Sequence, residues 1–303
     1  MRLAVVVLAH DRPGLLARLL AALRHPDIRA YLHVDRRVGL DPFTTALAGA
    51  DAGDVTLLPR HATSWASPQL VDAALEGLRS GVADGCDYFL LISGRDFPLR
   101  PAAEIAAFAE AAGSRSHLEH FPLPDPRWRL GGRDRTDFYT YTVRGRRETC
   151  VPRGEDTSYL NRRGRLLNQA LRLRSLTKPA RRFPPYARAF GGSQWWNLSR
   201  AAADHVLAFL DRHPGYRRYH ERTLAPDEVF FQSILAGTGF AEREEVVDDS
   251  LRFMRWPADE SHPRVLRVED LPAMLESDAL FARKLDPAVD EAVLAELTER
   301  VMK

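Results

Sequence analysis

Residues 224–235 read LAPDEVFFQSIL, a proline, two acids and then an apolar run. An acid just behind a helix-starting proline normally caps the helix or sits in its first turn, where free N–H groups and the helix dipole favour negative charge. A carboxylate can also take a proton from a hydroxyl, provided partial desolvation lifts its pKa toward the working range. Counted at the helical period, Phe230, Phe231, Ile234 and Leu235 share one side, with Asp227 over its middle and Glu228 at its edge. The edge position makes Glu228 the candidate base, although the local pattern by itself favours the capping role for both acids.

Other side chains could serve the same reaction as charge stabilisers. The chain holds 40 Arg but only 3 Lys, a skew that a GC-rich genome explains. It still singles out Lys178, Lys284 and Lys303, because an ammonium and a guanidinium are not interchangeable in a site. Towards the C-terminus lie Arg252 in SLRFMRWP, Arg264 and Arg267 in HPRVLR, and the adjacent pair Arg283–Lys284 in LFARKLD. Fixed cations of this kind can hold a leaving diphosphate. Five tryptophans, among them Trp65, Trp195, Trp196 and Trp256, offer faces for a sugar or a base, or simply fill the core. If residues 190–198 form a strand, Trp195 and Trp196 must point opposite ways. His10, Asp11, His33, Asp35 and His61 form a conceivable metal set, but none has the local spacing of a metal motif.

The elements that must position these groups alternate between strand and helix. LAVVVLA (3–9) is apolar throughout, as a strand buried on both faces is. Further strands are expected at 30–35, 54–59 and 87–93, and helices after Pro13, after Pro68 and over 101–113. This alternation predicts a mostly parallel, Rossmann-like α/β sheet flanked by helices. Ligands of such sheets bind beyond the carboxyl ends of the strands, where His10-Asp11, Asp35 and Ser93-Gly94-Arg95-Asp96 fall. Residues 125–185 are rich in Arg, Gly and Pro and read as an inserted lid region with one helix near 158–174. Order returns at FGGSQWWNLS (190–199), with helices over 200–212, after Pro226 and over 287–301, and short strands near 245–256.

The totals exclude several classes. A net charge of +2 argues against a nucleic-acid or membrane-surface binder. Two cysteines, Cys86 and Cys150, cannot make a disulfide framework, and the N-terminal apolar run reads as a strand rather than a signal peptide. A cytoplasmic setting with no transmembrane segment is therefore expected. No G-x-G-x-x-G follows the first strand and there is no P-loop, which disfavours dinucleotide oxidoreductases and P-loop NTPases. The Asp-x-Asp pair with which many sugar-nucleotide transferases hold a divalent ion is also missing.

In this order, HVD (33–35), SW (64–65), LISGRDFPL (91–99), GGSQWW (191–196), LAPDEVFFQSIL (224–235), LRFMRW (251–256) and LFARKLD (280–286) resemble the core-2/I-branching β-1,6-N-acetylglucosaminyltransferases and the related peptide O-xylosyltransferases. The resemblance implies a GT-A-like fold over residues 1–303, with a nucleotide-binding half (1–120), a variable insertion (121–188) and an acceptor and catalytic half (189–303). It also implies a UDP-sugar donor carrying N-acetylglucosamine or xylose, an acceptor hydroxyl on a glycan or small natural product, inversion at the anomeric carbon and no metal or other cofactor. Carried over by position, Glu228 matches the catalytic base. Asp35, Trp65, Arg252, Arg283 and Lys284 match donor-side positions, and Asp96, Gln194, Trp195 and Trp256 match places near the sugar or acceptor. Gln194 departs from the acid of the xylosyltransferases, which puts xylose and a peptide acceptor in doubt. The alternatives are a carbohydrate-binding protein of this fold without catalysis, and a metal-dependent hydrolase.

Overall fold

The computed structural model describes residues 1–158, 160–176, 181–257 and 262–302, so Lys178 and Lys303 lie outside the described residues. Seven strands build the central sheet: β1 (Leu3–Ala9), β2 (Ile28–Val34), β3 (Val55–Leu57), β4 (Tyr88–Ser93), β5 (Ser116–Leu118), β6 (Trp196–Ser199) and β7 (Val246–Val247). Their order is β3-β2-β1-β4-β6-β5-β7. β6 runs antiparallel to both neighbours, and the remaining pairs are parallel. This is the mostly parallel α/β sheet flanked by helices that the alternating pattern predicts.

β1 explains why the sheet is covered on both faces. All seven of its residues are buried. Leu3, Val5, Val7 and Ala9 feed one core, and Ala4, Val6 and Leu8 the other. The longer helices that cover the sheet or stiffen the insertion are α1 (Pro13–Ala22), α2 (Pro68–Ala83), α3 (Ala102–Ala112), α4 (Arg162–Ser175), α5 (Arg200–Arg212) and α6 (Glu291–Val301). α1, α3 and α6 close the first core, and α2, α5 and the short helix Phe230–Leu235 the second. α2 lies unusually close to the sheet because it is glycine where it crosses β1. A Cβ on Gly77 would stand 2.3 Å from Val6 Cγ1.

Three sequence expectations change in detail. The helix expected after Pro226 is split: Pro226–Glu228 is a single 3-10 turn, and the α-helix starts only at Phe230. The strand expected over 190–198 is broken into Phe190–Gly191 and β6, with the Gly-Ser-Gln turn between them. The final helix starts at Glu291 rather than 287. The insertion carries a hairpin that the sequence pattern does not announce, Tyr139–Val143 against Arg146–Cys150. Its turn residues Arg144 and Gly145 have φ of 49° and 79°, the left-handed pair that a two-residue hairpin loop requires. α4 packs on that hairpin through Leu171, Tyr141 and Cys150. Buried Arg181 ties the insertion down, donating to the carbonyls of Arg135, Phe138 and Tyr219 and to Thr223 Oγ1.

Candidate active site

A cavity of about 430 Å3 opens at the carboxyl ends of β1, β2 and β4. His10 and Asp11 follow β1, Asp35 and Arg37 follow β2, and Ser93 and Arg95 end β4. Parallel strands present these ends together, so residues far apart in sequence meet without any local motif. Thr63, Ser64 and Trp65 form a second wall, Gln194 and Trp195 a third, and Arg283 and Lys284 close the site.

Of the arginines and lysines lining this space, three are paired. Arg37 grips Asp35 through Nη2–Oδ2 at 2.7 Å, and Arg95 holds Asp11 at 2.9 Å and Asp286 at 3.2 Å. Arg283 donates to Asp96 Oδ1 at 3.0 Å and lies 4.0 Å above the Trp195 ring. The fourth, the Lys284 ammonium, has no hydrogen-bond or ion-pair partner among the described residues. Burial, together with Arg283 and Arg95, pushes its pKa below the usual lysine value. A half-buried, unpaired cation beside two others is a site waiting for negative charge.

The expected donor-side residues fall in three positions. Trp65, Arg283 and Lys284 face the cavity, with the Trp65 indole 60% exposed. Asp35 also borders it, but its carboxylate is buried and already accepts from Arg37, from the Arg37 backbone N–H and from Thr63 Oγ1. Burial alone would raise its pKa; the Arg37 and Thr63 bonds and the Arg37 charge outweigh this and hold it below the usual carboxylate range. Arg252 is absent from the lining and sits behind the site. Its guanidinium donates to Asn197 Oδ1 and to the carbonyls of Ser250 and Leu91, and burial pulls its pKa down to about 10. The structure therefore makes Arg252 an internal brace between β4 and β6 rather than a wall residue. Arg264, turned to Asp270, is not a wall residue either.

The residues expected near the acceptor divide similarly. Gln194 and Trp195 line the cavity. Asp96 is fully buried beneath it, accepting from Ser93 N and Oγ and from Arg283. Trp256 is exposed and does not line it. Trp195 lies just before β6, so strand alternation does not govern it: both tryptophans are buried in the second core, Trp196 against Phe231 at 5.5 Å and Trp195 beneath Arg283. The five-residue metal set does not assemble. His33 Nε2 accepts the His61 backbone N–H at 2.9 Å, and burial and His61 push its pKa down to about 4. Among the described residues no three His, Cys, Asp or Glu side chains form a group that could hold a metal ion.

Glu228 stands beyond the Gln194 wall rather than in it. Its carbonyl accepts from Gly192 N at 2.9 Å, and Gln232 Nε2 donates to Ser193 O at 2.6 Å, so the turn carrying the acid also fixes the loop before Trp195. Only glycine fits at 192, where a Cβ would lie 1.8 Å from Glu119 O. The Glu228 side chain is 33% exposed and paired with Arg135, whose Nη2 and Nε both reach Oε2, at 2.7 and 3.1 Å. Oε1 has no partner among the described residues. Arg135 itself rests on the Trp128 ring at 4.0 Å. The desolvation that the sequence pattern assigns to Glu228 falls on its neighbour. Asp227 is 8% exposed, its Oδ1 is unpartnered among the described residues, and burial plus the Glu228 charge push its pKa up to about 7. Arg37, Arg135 and Trp128 escaped sequence reading. The last two lie in the segment without periodicity, and only their closeness in space to Glu228 identifies them.

The family model described as Core-2/I-Branching enzyme matches residues 3–275. Among curated proteins the chain is similar to Xylosyltransferase 1 of Canis lupus familiaris, 24% identical over 318 residues that cover 98% of this chain and 30% of that protein. It is similar to Xylosyltransferase 2 of Rattus norvegicus at 24% over 320 residues, covering 97% and 33%. The chain thus spans about a third of the length of these relatives. Among solved structures it is similar to a mannose-1-phosphate geranyltransferase from Thermus thermophilus, with 16% identity, a TM-score of 0.29 and coverage of 73% and 63%. A 4-diphosphocytidyl-2C-methyl-D-erythritol synthase from Anaerococcus prevotii gives 10% identity, a TM-score of 0.39 and coverage of 90% and 94%. With the family match running from the first strand to beyond the basic turn at Arg267, the chain belongs to the Core-2/I-Branching enzyme family.

Proposed function

We propose that this chain is an inverting glycosyltransferase that moves a sugar, N-acetylglucosamine or xylose, from a UDP donor to a hydroxyl of a glycan or small molecule, without a divalent cation. The observation that carries this reading is Lys284: an ammonium with no partner among the described residues, facing a cavity at the sheet's carboxyl edge beside Arg283. Fixed ammonium and guanidinium groups can neutralise a departing diphosphate where a metal would otherwise do so. Trp65 offers an exposed ring for the base or the sugar. Asp35 acts through Arg37, which it holds at the cavity wall. Asp96 and Trp195 do the same for Arg283, and Arg252 braces the strands behind them.

In the reaction the acceptor hydroxyl gives its proton to Glu228 Oε1 while its oxygen forms the new bond to the anomeric carbon. The bond from that carbon to the phosphate oxygen breaks, and UDP departs with the electron pair. Arg135 holds Oε2 and leaves Oε1 free to accept. A base of this kind contributes about 10²–10⁴-fold. Glu228→Gln is expected to bind UDP as the parent does, by calorimetry, and to lose transfer by about that factor. Turnover within about twofold of the parent, far short of that loss, would assign the proton to another group.

A further inference from the structure

The inserted segment encloses a second cavity, of about 930 Å3, which shares no lining residue with the one at the strand ends. Its walls carry five guanidinium groups against one carboxylate, Asp137. Among the described residues only Arg133 of these five is neutralised, by Asp137 at 3.2 Å and Glu155 at 2.9 Å. Arg172 and Arg181 donate to backbone carbonyls and to a hydroxyl, which satisfies their N–H groups but cancels no charge. Arg153 and Arg182 are exposed and have no hydrogen-bond or ion-pair partner among the described residues. Between these cations the lining is apolar. Leu173 and Leu176, at the end of α4, are 71% and 74% exposed, and Phe138 forms part of the wall. Large aliphatic side chains held in water next to unpaired guanidinium groups fit a ligand that brings both an anion and an apolar body.

We propose that this cavity binds an organic phosphate or carboxylate with an apolar body, and that it is the acceptor-side subsite of the enzyme. The position of Arg133 supports the second half. The single turn Arg133–Thr136 sends Arg133 into the cavity and Arg135 to Glu228, and Arg181 Nη1 holds the Arg135 carbonyl at 2.9 Å. A ligand seated here rests on the turn that holds the proposed base. The acceptor assignment rests on the reading of Glu228 as that base; binding of the anion does not.

The test is calorimetric titration of the whole chain with octyl phosphate below its micelle concentration, with octanol and inorganic phosphate alongside. Octyl phosphate is expected to bind with one-to-one stoichiometry, roughly tenfold or more tighter than either fragment, and saturating UDP should not displace it. The double variant Arg153→Glu, Arg182→Glu, at two exposed and unpartnered positions, should weaken it by about tenfold or more at an unchanged melting temperature. Leu176→Gln is the second variant, and it should weaken octyl phosphate while leaving inorganic phosphate unchanged. Octanol or phosphate binding as tightly as octyl phosphate, displacement by UDP, or parental affinity in both variants would each overturn the proposal. Glu228→Gln should bind octyl phosphate as the parent does, so misassignment of the base, read from surviving transfer, is told apart from failure of the cavity.

Discussion

Asp227 and Glu228 are neighbours in sequence and opposites in surroundings. The 3-10 turn at Pro226 buries Asp227, while Glu228 meets Arg135 of the insertion. Burial, with no partner for Oδ1 among the described residues, keeps Asp227 protonated up to about pH 7. An unfolded aspartate titrates near pH 4, so between about pH 4 and 7 the native state holds a proton that the unfolded chain has released. Stability from this group is therefore fully present below about pH 4 and is lost as pH rises to about 7. Asp227→Asn removes the titration. Its melting temperature should exceed that of the parent at about pH 8, by a margin worth a few kcal/mol, and the gap should close as the pH of the thermal scans falls toward about 4. A constant offset across that range would mean that Asp227 ionises in the folded protein like an exposed acid.

At the scale of elements, the site depends on how closely α2 and the Gly-Ser-Gln turn approach their neighbours. Gly77 permits the contact of α2 with β1, and α2 in turn follows the Thr63–Trp65 wall directly. Gly77→Val would push branched carbons onto Val6 and is expected to cost about 1–3 kcal/mol, read as a lower midpoint in urea at unchanged slope. A midpoint equal to that of the parent would show that the helix can move off the sheet freely. Elements with strong periodicity were legible in the sequence: β1 and α5 fall on their expected bounds and α2 starts at Pro68 as expected, because burial dictates their pattern. The hairpin 139–150 was not, since Tyr-Thr-Tyr-Thr-Val against Arg-Arg-Glu-Thr-Cys alternates against a small local core rather than a main one. The strand-end residues were legible as a group from topology alone, Asp11, Asp35 and Arg95 among them. Charge pairing was not: nothing in the string tells that Arg252 is buried in backbone carbonyls while Lys284 is left without a partner among the described residues. A basic residue beside apolar neighbours reads the same in either case.

At the scale of the whole molecule, the cavity's charge is assembled from both ends of the chain. The ends of β1, β2 and β4 supply Asp11, Asp35, Arg37 and Arg95, and the segment before α6 supplies Arg283, Lys284 and Asp286. Two of the guanidinium groups are anchored across distant parts of the chain, Arg95 to Asp286 and Arg283 to Asp96. Such cross-chain pairing fixes the cations before a ligand arrives, so they need little reorganisation. Lys284 adds the uncompensated charge. Lys284→Ala should lower transfer by about 10²–10³-fold, the loss typical of one preorganised electrostatic contact, and weaken UDP binding in the same titration. Added magnesium or manganese should restore neither, because the carboxylates at the cavity's edge, Asp11 and Asp35, are already held by arginines and are not free to ligate an ion. Parental activity should likewise persist in EDTA. Activity that vanishes with the chelator and returns with manganese would reverse the argument, making an ion rather than the lysine the partner of the diphosphate.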